Sequence, residues 1–94
     1  MHPRELELDL AAVASRDTLF DLLERELAFP GWWGRNWDAF RDCITSDLSS
    51  MPAVLRIRGF SRLAARLPRE AALLKSSLDD LSARGVACRV EWAS

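Results

Sequence analysis

The chain has 94 residues, of which 49% are hydrophobic and 29% are charged, and its formal net charge is −1. This length is typical of a single domain with one hydrophobic core. The near balance of 13 basic and 14 acidic residues argues against nucleic-acid binding by the whole surface, because that mode requires a strong positive excess. Local patches of either sign remain compatible with this composition.

The composition also excludes several other classes of protein and site. No run of residues approaches the roughly 20 apolar residues of a membrane span, and Met1 to Glu5 contains no apolar signal core, so we expect a cytoplasmic protein without a membrane partner. Cys43 and Cys88 fit no zinc or redox spacing and are expected to be buried, reduced thiols. With His2 as the only histidine, we expect no histidine-based metal site or triad and no cofactor.

The first third of the chain predicts a strand and a helix. Glu5 to Leu10 alternates strictly between acidic residues and leucine, which is the period of a strand with one solvated face. Asp17 is a suitable N-cap for the helix, and Pro30 with Gly31 ends it. The buried stripe of this helix consists of Leu19, Leu22, Leu23 and Leu27.

The next segment predicts a second helix, for which Asn36 is a natural N-cap. Asp38 in its first turn suits the positive end of the helix dipole. Projection at about 100° per residue places Asp38 and Asp42 one turn apart on the solvated side, together with Thr45. Arg41 lies at the border between the two sides. The packing side consists of Trp37, Phe40, Ile44 and Leu48, with Cys43 at its edge.

The second half of the chain predicts two more strands and two more helices. Ala53 to Arg58 reads as a strand, and Phe60 to Arg66 as a short helix. Pro68 is typical of the first position of a helix, and Gly85 is typical of the residue just past a helix end. Val86 to Trp92 alternates again and predicts the last strand.

Strands that are separated by helices require crossover connections, so we expect the sheet to be parallel. The predicted fold class is α/β: a small three-layer domain with a three-stranded parallel sheet packed by about four helices. No internal repeat, linker or low-complexity tract divides the sequence, so residues 1–94 are expected to form one domain.

The segment from Leu27 to Ile44 holds three of the four tryptophans and is the candidate functional region. Its helix face could be an ordinary solvated one, but two features favour a contact surface. The like charges of Asp38 and Asp42 at i and i+4 cost helix stability, and a structural turn seldom needs both Trp32 and Trp33. We expect one of these two tryptophans in the core and the other exposed, because exposed tryptophan is typical of interfaces.

Two other functions fit this region less well. A catalytic carboxylate pair at Asp38 and Asp42 would have no Tyr and no usable His beside it. The region is also similar to a platform on which nucleic-acid bases stack beside cations, formed by Trp32, Trp33, Arg35, Trp37 and Arg41. From Phe29 to Ser50, however, the sequence contains two Arg and three Asp, and the carboxylates would repel a phosphate backbone. Nucleic-acid binding is therefore kept as an alternative.

The same segment resembles the central motif of the barstar family, which comprises small intracellular inhibitors of barnase-type secreted ribonucleases. The resemblance implies a three-stranded parallel sheet packed with helices and a protein that is not an enzyme. It also implies that the loop and the second helix plug a ribonuclease active site. The motif consists of Glu26-Leu27-Ala28-Phe29-Pro30, Trp32-Trp33-Gly34-x-Asn36-x-Asp38-Ala39 and Asp42-Cys43-Ile44-Thr45.

Taken residue by residue, the resemblance assigns a role to each position of the motif. Asp42 corresponds to the family's dominant carboxylate, which takes the place of a substrate phosphate, and Asp38 to its neighbour one turn earlier. Gly34 and Asn36 correspond to the turn that contacts the enzyme, and Trp32 stands where the family usually has a Tyr ring. The other implied contact positions are Trp33, Thr45 and Asp80.

Three arginines depart from the family pattern. Arg41 stands at a position that is aromatic in the best-known member of the family, and Arg35 and Arg84 stand where that member has acidic residues. Arg41 is nevertheless expected at the contact surface. Either the cognate ribonuclease carries a compensating acidic residue, or the partner is a related toxin or another effector.

Overall fold

The computed structural model describes residues 5–45, 51–85 and 88–93 of the chain. Within these ranges, none of the helices has the length and apolar character that a membrane crossing requires. The elements in chain order are β1 (Glu5–Asp9), α1 (Arg16–Glu26), α2 (Trp37–Thr45), β2 (Val54–Arg58), α3 (Phe60–Arg66), α4 (Pro68–Ala83) and β3 (Arg89–Trp92).

The three strands form one parallel sheet in the order β1-β2-β3, as the sequence predicts. β2 is the central strand, and its Leu55 pairs with Leu6 of β1 on one side and with Val90 of β3 on the other. Because both pairings are parallel, the connections between the strands pass through helices. The helical segments are therefore brought together on the sheet by its topology.

The outer face of the sheet carries ion pairs instead of helices. Arg56 of β2 lies 3.2 Å from Glu5 of β1 and 3.0 Å from Glu91 of β3, and Arg58 lies 3.3 Å from Glu7. These side chains are partly or largely open to solvent, so no described helix covers this face. The described residues form two layers, which corrects the expected three. The physical reason is that the outward positions of the strands are charged.

The hydrophobic core lies between the other face of the sheet and the helices. Leu8 and Ile57 of the sheet are fully buried together with Phe20 of α1 and Phe40 of α2. Their burial removes the apolar stripe of each element from water, which is the main stabilising contribution to such a domain. The same cluster contains Leu10, Val13, Leu19, Leu23, Leu27, Trp33, Ile44, Leu55, Leu63, Ala71, Leu74, Leu78 and Leu81.

The starts of α1 and α2 are fixed by side-chain caps. The hydroxyl of Ser15 accepts a hydrogen bond from the Thr18 N–H at 3.1 Å, so Ser15 and not Asp17 is the N-cap of α1. Asp17 lies in the first turn, where its charge suits the helix dipole. For α2 the predicted cap is confirmed, because Asn36 Oδ1 accepts from the Ala39 N–H at 2.7 Å.

The ends of the later elements agree closely with the sequence patterns. Pro68 is the first residue of α4, and Gly85 follows the end of α4 with a φ of +78°. β3 spans Arg89–Trp92, so Cys88 precedes the strand instead of lying inside it. The predictions for His2, Leu48 and Val86 concern residues that lie outside the described ranges.

Gly59 sits where β2 passes into α3, against the backbone of the loop that follows β1. Its φ is +74°, and a Cβ at this position would come within 2.6 Å of the Ala11 backbone nitrogen. Both the left-handed backbone and the close approach require the absence of a side chain. The junction thereby brings the β1–α1 loop into contact with the start of α3.

Gly59→Ala should destabilise the domain more than Gly85→Ala does. Both glycines have positive φ, so both substitutions introduce left-handed strain of about 1–2 kcal/mol. Only Gly59 adds a clash with Ala11, because a Cβ at Gly85 meets no atom of the described residues within 4 Å. Urea unfolding of the two variants measures the difference. Equal losses would mean that the Ala11 backbone moves aside without cost.

Candidate functional site

The loop between α1 and α2 reverses the chain through three residues with left-handed backbone. Ala28 has a φ of 55°, and the Phe29 N–H donates back to the Glu24 carbonyl at 3.0 Å, which closes the end of α1. Gly34 and Arg35 follow with φ values of 90° and 49°. These two positions turn the chain into the N-cap of α2. The loop is therefore a defined succession of turns with little freedom at either end.

Trp32 and Trp33 have opposite environments, which confirms the prediction of one core and one exposed tryptophan. Trp33 is only 3% exposed, packs edge-on against Phe20 at 5.3 Å, and donates its indole N–H to Glu24 at 2.7 Å. Trp32 is 81% exposed. The sequence motif also implies a contact role for Trp33. Its burial corrects that role, because a side chain so enclosed supports the loop from inside and offers a partner almost no surface.

Arg35 ties the loop to α1. Its guanidinium lies 2.8 Å from the Asp21 carboxylate and 3.8 Å from that of Glu24, and it donates to the Asp17 carbonyl at 3.1 Å. Glu24 therefore accepts the hydrogen bond of the Trp33 indole from the core side and pairs with the Arg35 guanidinium on the solvent side. The charge of Arg35 is used within the domain to hold the turn in place.

The acidic side of α2 is exposed, as the helical projection predicts. Asp38 and Asp42 face solvent, and neither forms an ion pair with any other residue that the structure describes. Asn36 uses both ends of its amide, since Oδ1 caps α2 and Nδ2 donates to the Gly34 carbonyl at 3.3 Å. We call the exposed residues of this region the contact face: Trp32, Gly34, Asn36, Asp38 and Asp42.

Two polar links hold α2 on α4. The indole N–H of half-buried Trp37 donates to Glu70 at 2.7 Å. One turn further along α2, Arg41 donates to the hydroxyls of Ser77 at 3.2 Å and Ser76 at 3.1 Å. The links fix the rotation of α2 about its axis and therefore the direction in which its carboxylates point. Arg41 lies at the border between the packing side and the solvated side of α2, as predicted, and it donates its hydrogen bonds to α4.

Thr45 and Asp80, two further predicted contact positions, are both engaged within the domain. Thr45 is half-buried and donates its hydroxyl to the Arg41 carbonyl at 2.6 Å, so it does not share the solvated side with the carboxylates. Asp80 on α4 lies 2.7 Å from Arg84. The hydrogen bond from the Arg84 guanidinium holds the pKa of Asp80 below its usual range. Asp80 is therefore ionised but already paired.

Cys43 and Cys88 are half-buried free thiols, less enclosed than the sequence predicts. Burial raises the pKa of both thiols, and the charge of Asp42 raises that of Cys43 further. A raised pKa leaves the thiol protonated at neutral pH, and a protonated thiol is a poor nucleophile. These two residues therefore give the site no reactive group.

The residues that position the contact face were not identifiable from sequence spacing. Glu24, Glu70, Ser76 and Ser77 hold the loop and α2 through contacts that span 9 to 36 residues of sequence. No local pattern connects partners so far apart. Polar groups on helix surfaces that face one another would be the signal, but which surfaces face one another is known only once the chain is folded.

The chain matches the model of the family described as Barstar (barnase inhibitor) over residues 4–93, nearly the whole sequence. The matched range contains the complete sheet, the four helices and the contact face. No curated protein matches the chain.

Trp32→Ala and Trp33→Ala should separate the exposed role from the supporting role. Trp32→Ala should leave the free energy of unfolding within about 0.5 kcal/mol of the wild-type value, because the ring is mostly in water. Trp33→Ala should lower it by about 3–5 kcal/mol, since it removes a buried aromatic ring. Urea unfolding followed by far-UV circular dichroism provides both values. A similar loss in both variants would show that Trp32 also packs against the domain.

Proposed function

The chain belongs to the barstar family, and on this basis we propose that it is an intracellular inhibitor that plugs the active site of a barnase-like ribonuclease or a related toxic hydrolase. The observation that carries the proposal is the contact face, in which an exposed tryptophan of the loop, Trp32, is followed by the exposed carboxylates of Asp38 and Asp42 on α2. The proposed activity is binding alone. It requires neither a catalytic residue nor a cofactor from this chain.

The two carboxylates of α2 are suited to replace substrate phosphates. A ribonuclease holds the RNA backbone with cationic side chains, and a carboxylate offers those cations the same charge and acceptor oxygens. Asp38 and Asp42 form no ion pair within the described part of the chain, so no internal pair has to break before they bind. In the proposed complex, Asp42 reaches the phosphate site and Asp38 supports it one turn earlier.

The contact face is also held in place before any partner arrives. Trp33 and Arg35 fix the loop to α1, while Trp37 and Arg41 fix α2 to α4. Ordering of loops and side chains on binding lowers affinity, and a surface that is already ordered avoids most of that cost. The internal contacts therefore support tight binding without contributing contacts to the partner.

Trp32 supplies the apolar part of the proposed interface. An aromatic side chain of this size removes about 150–250 Å² from water when it is covered. Its ring is exposed in the loop that leads into the acidic helix, so it suits a cleft that combines cations with an apolar wall, and the ring face can also receive a cation. Gly34 and Asn36 would form the turn that the partner covers between the ring and the helix.

A nucleic-acid-binding module is the alternative, and the contacts of the arginines favour it less. Exposed Trp32 could stack on a base. The cations that such a platform needs, Arg35 and Arg41, are held by carboxylates of α1 and hydroxyls of α4. Asp38 and Asp42 would face the phosphate backbone instead. If the chain instead has the barstar fold but binds a different protein, that partner would occupy the same contact face.

Asp42→Asn should weaken inhibition of the cognate ribonuclease by about 2–5 kcal/mol, the cost of removing one member of a desolvated charge pair. The fold should be unaffected, because Asp42 is exposed. Glu7→Gln is the matched control: it removes the same unit of charge from the outer face of the sheet. Inhibition titrations of ribonuclease activity with the wild-type protein and both variants provide the comparison.

Equal losses in Asp42→Asn and Glu7→Gln would contradict a specific contact face and indicate attraction by overall charge. A titration of labelled RNA at two salt concentrations tests the alternative function. Tight, salt-sensitive RNA binding by a protein that inhibits no ribonuclease would replace the inhibitor proposal with the nucleic-acid module. The inhibitor proposal predicts RNA binding too weak to measure under the conditions in which the enzyme is inhibited.

A further inference from the structure

The surface next to the contact face continues onto α4 and alternates in charge. Arg41 of α2 reaches across to Ser76 of α4 at 3.1 Å, so its guanidinium lies against that helix. Further along α4, the Arg84 Nε donates to the Asp80 carboxylate at 2.7 Å. A partner that covers the carboxylates of α2 therefore also meets cations of this chain.

Arg84 lies within electrostatic reach of both helices. The pKa of Arg84 is raised by its hydrogen bond to Asp80 and, more weakly, by the charge of Asp42 on α2. The pKa of Asp80 is lowered by the hydrogen bond from Arg84 and also by the charge of Arg41. Ser76 and Asp80, which accept hydrogen bonds from Arg41 and Arg84, lie one turn apart on α4, and Asp42 follows Arg41 on α2. Arg41, Asp42, Asp80 and Arg84 thus form one group of two cations and two carboxylates, whose charges sum to zero. Asp42, the central residue of the contact face, belongs to that group.

Arg84 differs from the other two unusual arginines in its exposure. Its side chain is 57% exposed, whereas that of Arg35 is 36% exposed and is held by Asp21. Arg41 is half-buried and donates to two hydroxyls of α4. A guanidinium has five N–H donors, and the described hydrogen bond of Arg84 uses only its Nε. Arg84 is thus the arginine of the three that can present its charge to a partner.

An open groove gives a partner access to the same side of α4. The groove is shallow and open, has a volume of about 500 Å³, and is lined by residues of α4: Ala72, Lys75, Ser76, Asp79 and Asp80. Ser76 accepts a hydrogen bond from Arg41, and Asp80 accepts one from Arg84. A partner seated on the contact face can therefore also cover the side of α4 that carries Asp80.

We propose that Arg84 selects the partner: the cognate ribonuclease carries a carboxylate opposite Arg84, and a ribonuclease whose cleft is basic throughout binds poorly. This inference rests on the proposed function. A uniformly basic cleft would bring cations to Asp42 and, at the same time, to neighbouring Arg84. Like charges brought together at an interface oppose binding, and such a repulsive element is an effective way to exclude wrong partners.

The chain offers a closely matched control in Lys75. Lys75 and Asp79 form a second i, i+4 ion pair on α4, at 3.1 Å, with similar exposure. Lys75 also lies over the Trp92 ring at 5.0 Å, so it is directed to β3 and not to α2. Lys75→Gln removes one positive charge from α4, and Arg84→Gln removes one from just past the end of that helix. The Lys75 charge is directed to Trp92, whereas the Arg84 charge lies against Asp80.

The test measures inhibition of a barnase-type ribonuclease chosen for a cleft that is basic throughout. Arg84→Gln should inhibit this enzyme about tenfold more strongly than the wild-type protein, which corresponds to removal of one unfavourable charge contact. Lys75→Gln should remain within about twofold of wild type. Adding Asp42→Asn to Arg84→Gln should abolish the gain, because the gain depends on the contact face. Circular dichroism establishes that the variants are folded.

Three outcomes would overturn the inference in distinguishable ways. Equal gains in Arg84→Gln and Lys75→Gln would assign the effect to overall charge. No gain in Arg84→Gln, with wild-type inhibition that is sensitive to Asp42→Asn, would remove the selective role of Arg84 and leave the inhibitor function intact. Absence of inhibition by the wild-type protein and by every variant would reject the proposed function together with this inference. Inhibition by Arg84→Gln alone would support both.

Discussion

The hydrogen bond from Trp33 to Glu24 is the interaction on which the candidate site depends. It anchors a loop residue in the core at 2.7 Å, and the same carboxylate lies 3.8 Å from Arg35 on the solvent side. With Trp33 directed inward, its neighbour Trp32 is left 81% exposed. Gly34 then turns the chain into α2. The buried ring therefore determines both the exposure of the proposed anchor and the position from which the acidic helix starts.

The sequence was sufficient to predict the parallel sheet, the cap at Asn36 and the exposed carboxylate pair, because each follows from local periodicity or capping chemistry. Where two local solutions were available, as for the cap of α1, the sequence did not distinguish Ser15 from Asp17. The two-layer architecture was also missed, although the charged alternate positions of β2 contained the signal. The link from Arg41 to Ser77 could not be foreseen, since it joins residues 36 positions apart.

The three arginines that depart from the family pattern have different physical consequences. Arg35 and Arg41 are engaged inside the domain: Arg35 pairs with carboxylates of α1, and Arg41 donates hydrogen bonds to hydroxyls of α4. Both changes therefore act on the position of the contact face more than on its charge. Arg84 is the exception, because its side chain is the most exposed of the three. The three arginines look alike in sequence, but two of them support the fold around the contact face and one carries an exposed charge.

A net charge of −1 does not by itself limit attraction to a basic partner. On the outer face of the sheet, Arg56 bridges Glu5 and Glu91, so those charges largely cancel at short range. On the contact face, Asp38 and Asp42 form no ion pair within the described ranges. Salt screens charges beyond about 8 Å at physiological ionic strength. A partner approaching α2 therefore meets Asp38 and Asp42 together with the cations Arg41 and Arg84 beside them, while the paired charges of the sheet contribute little to the local field.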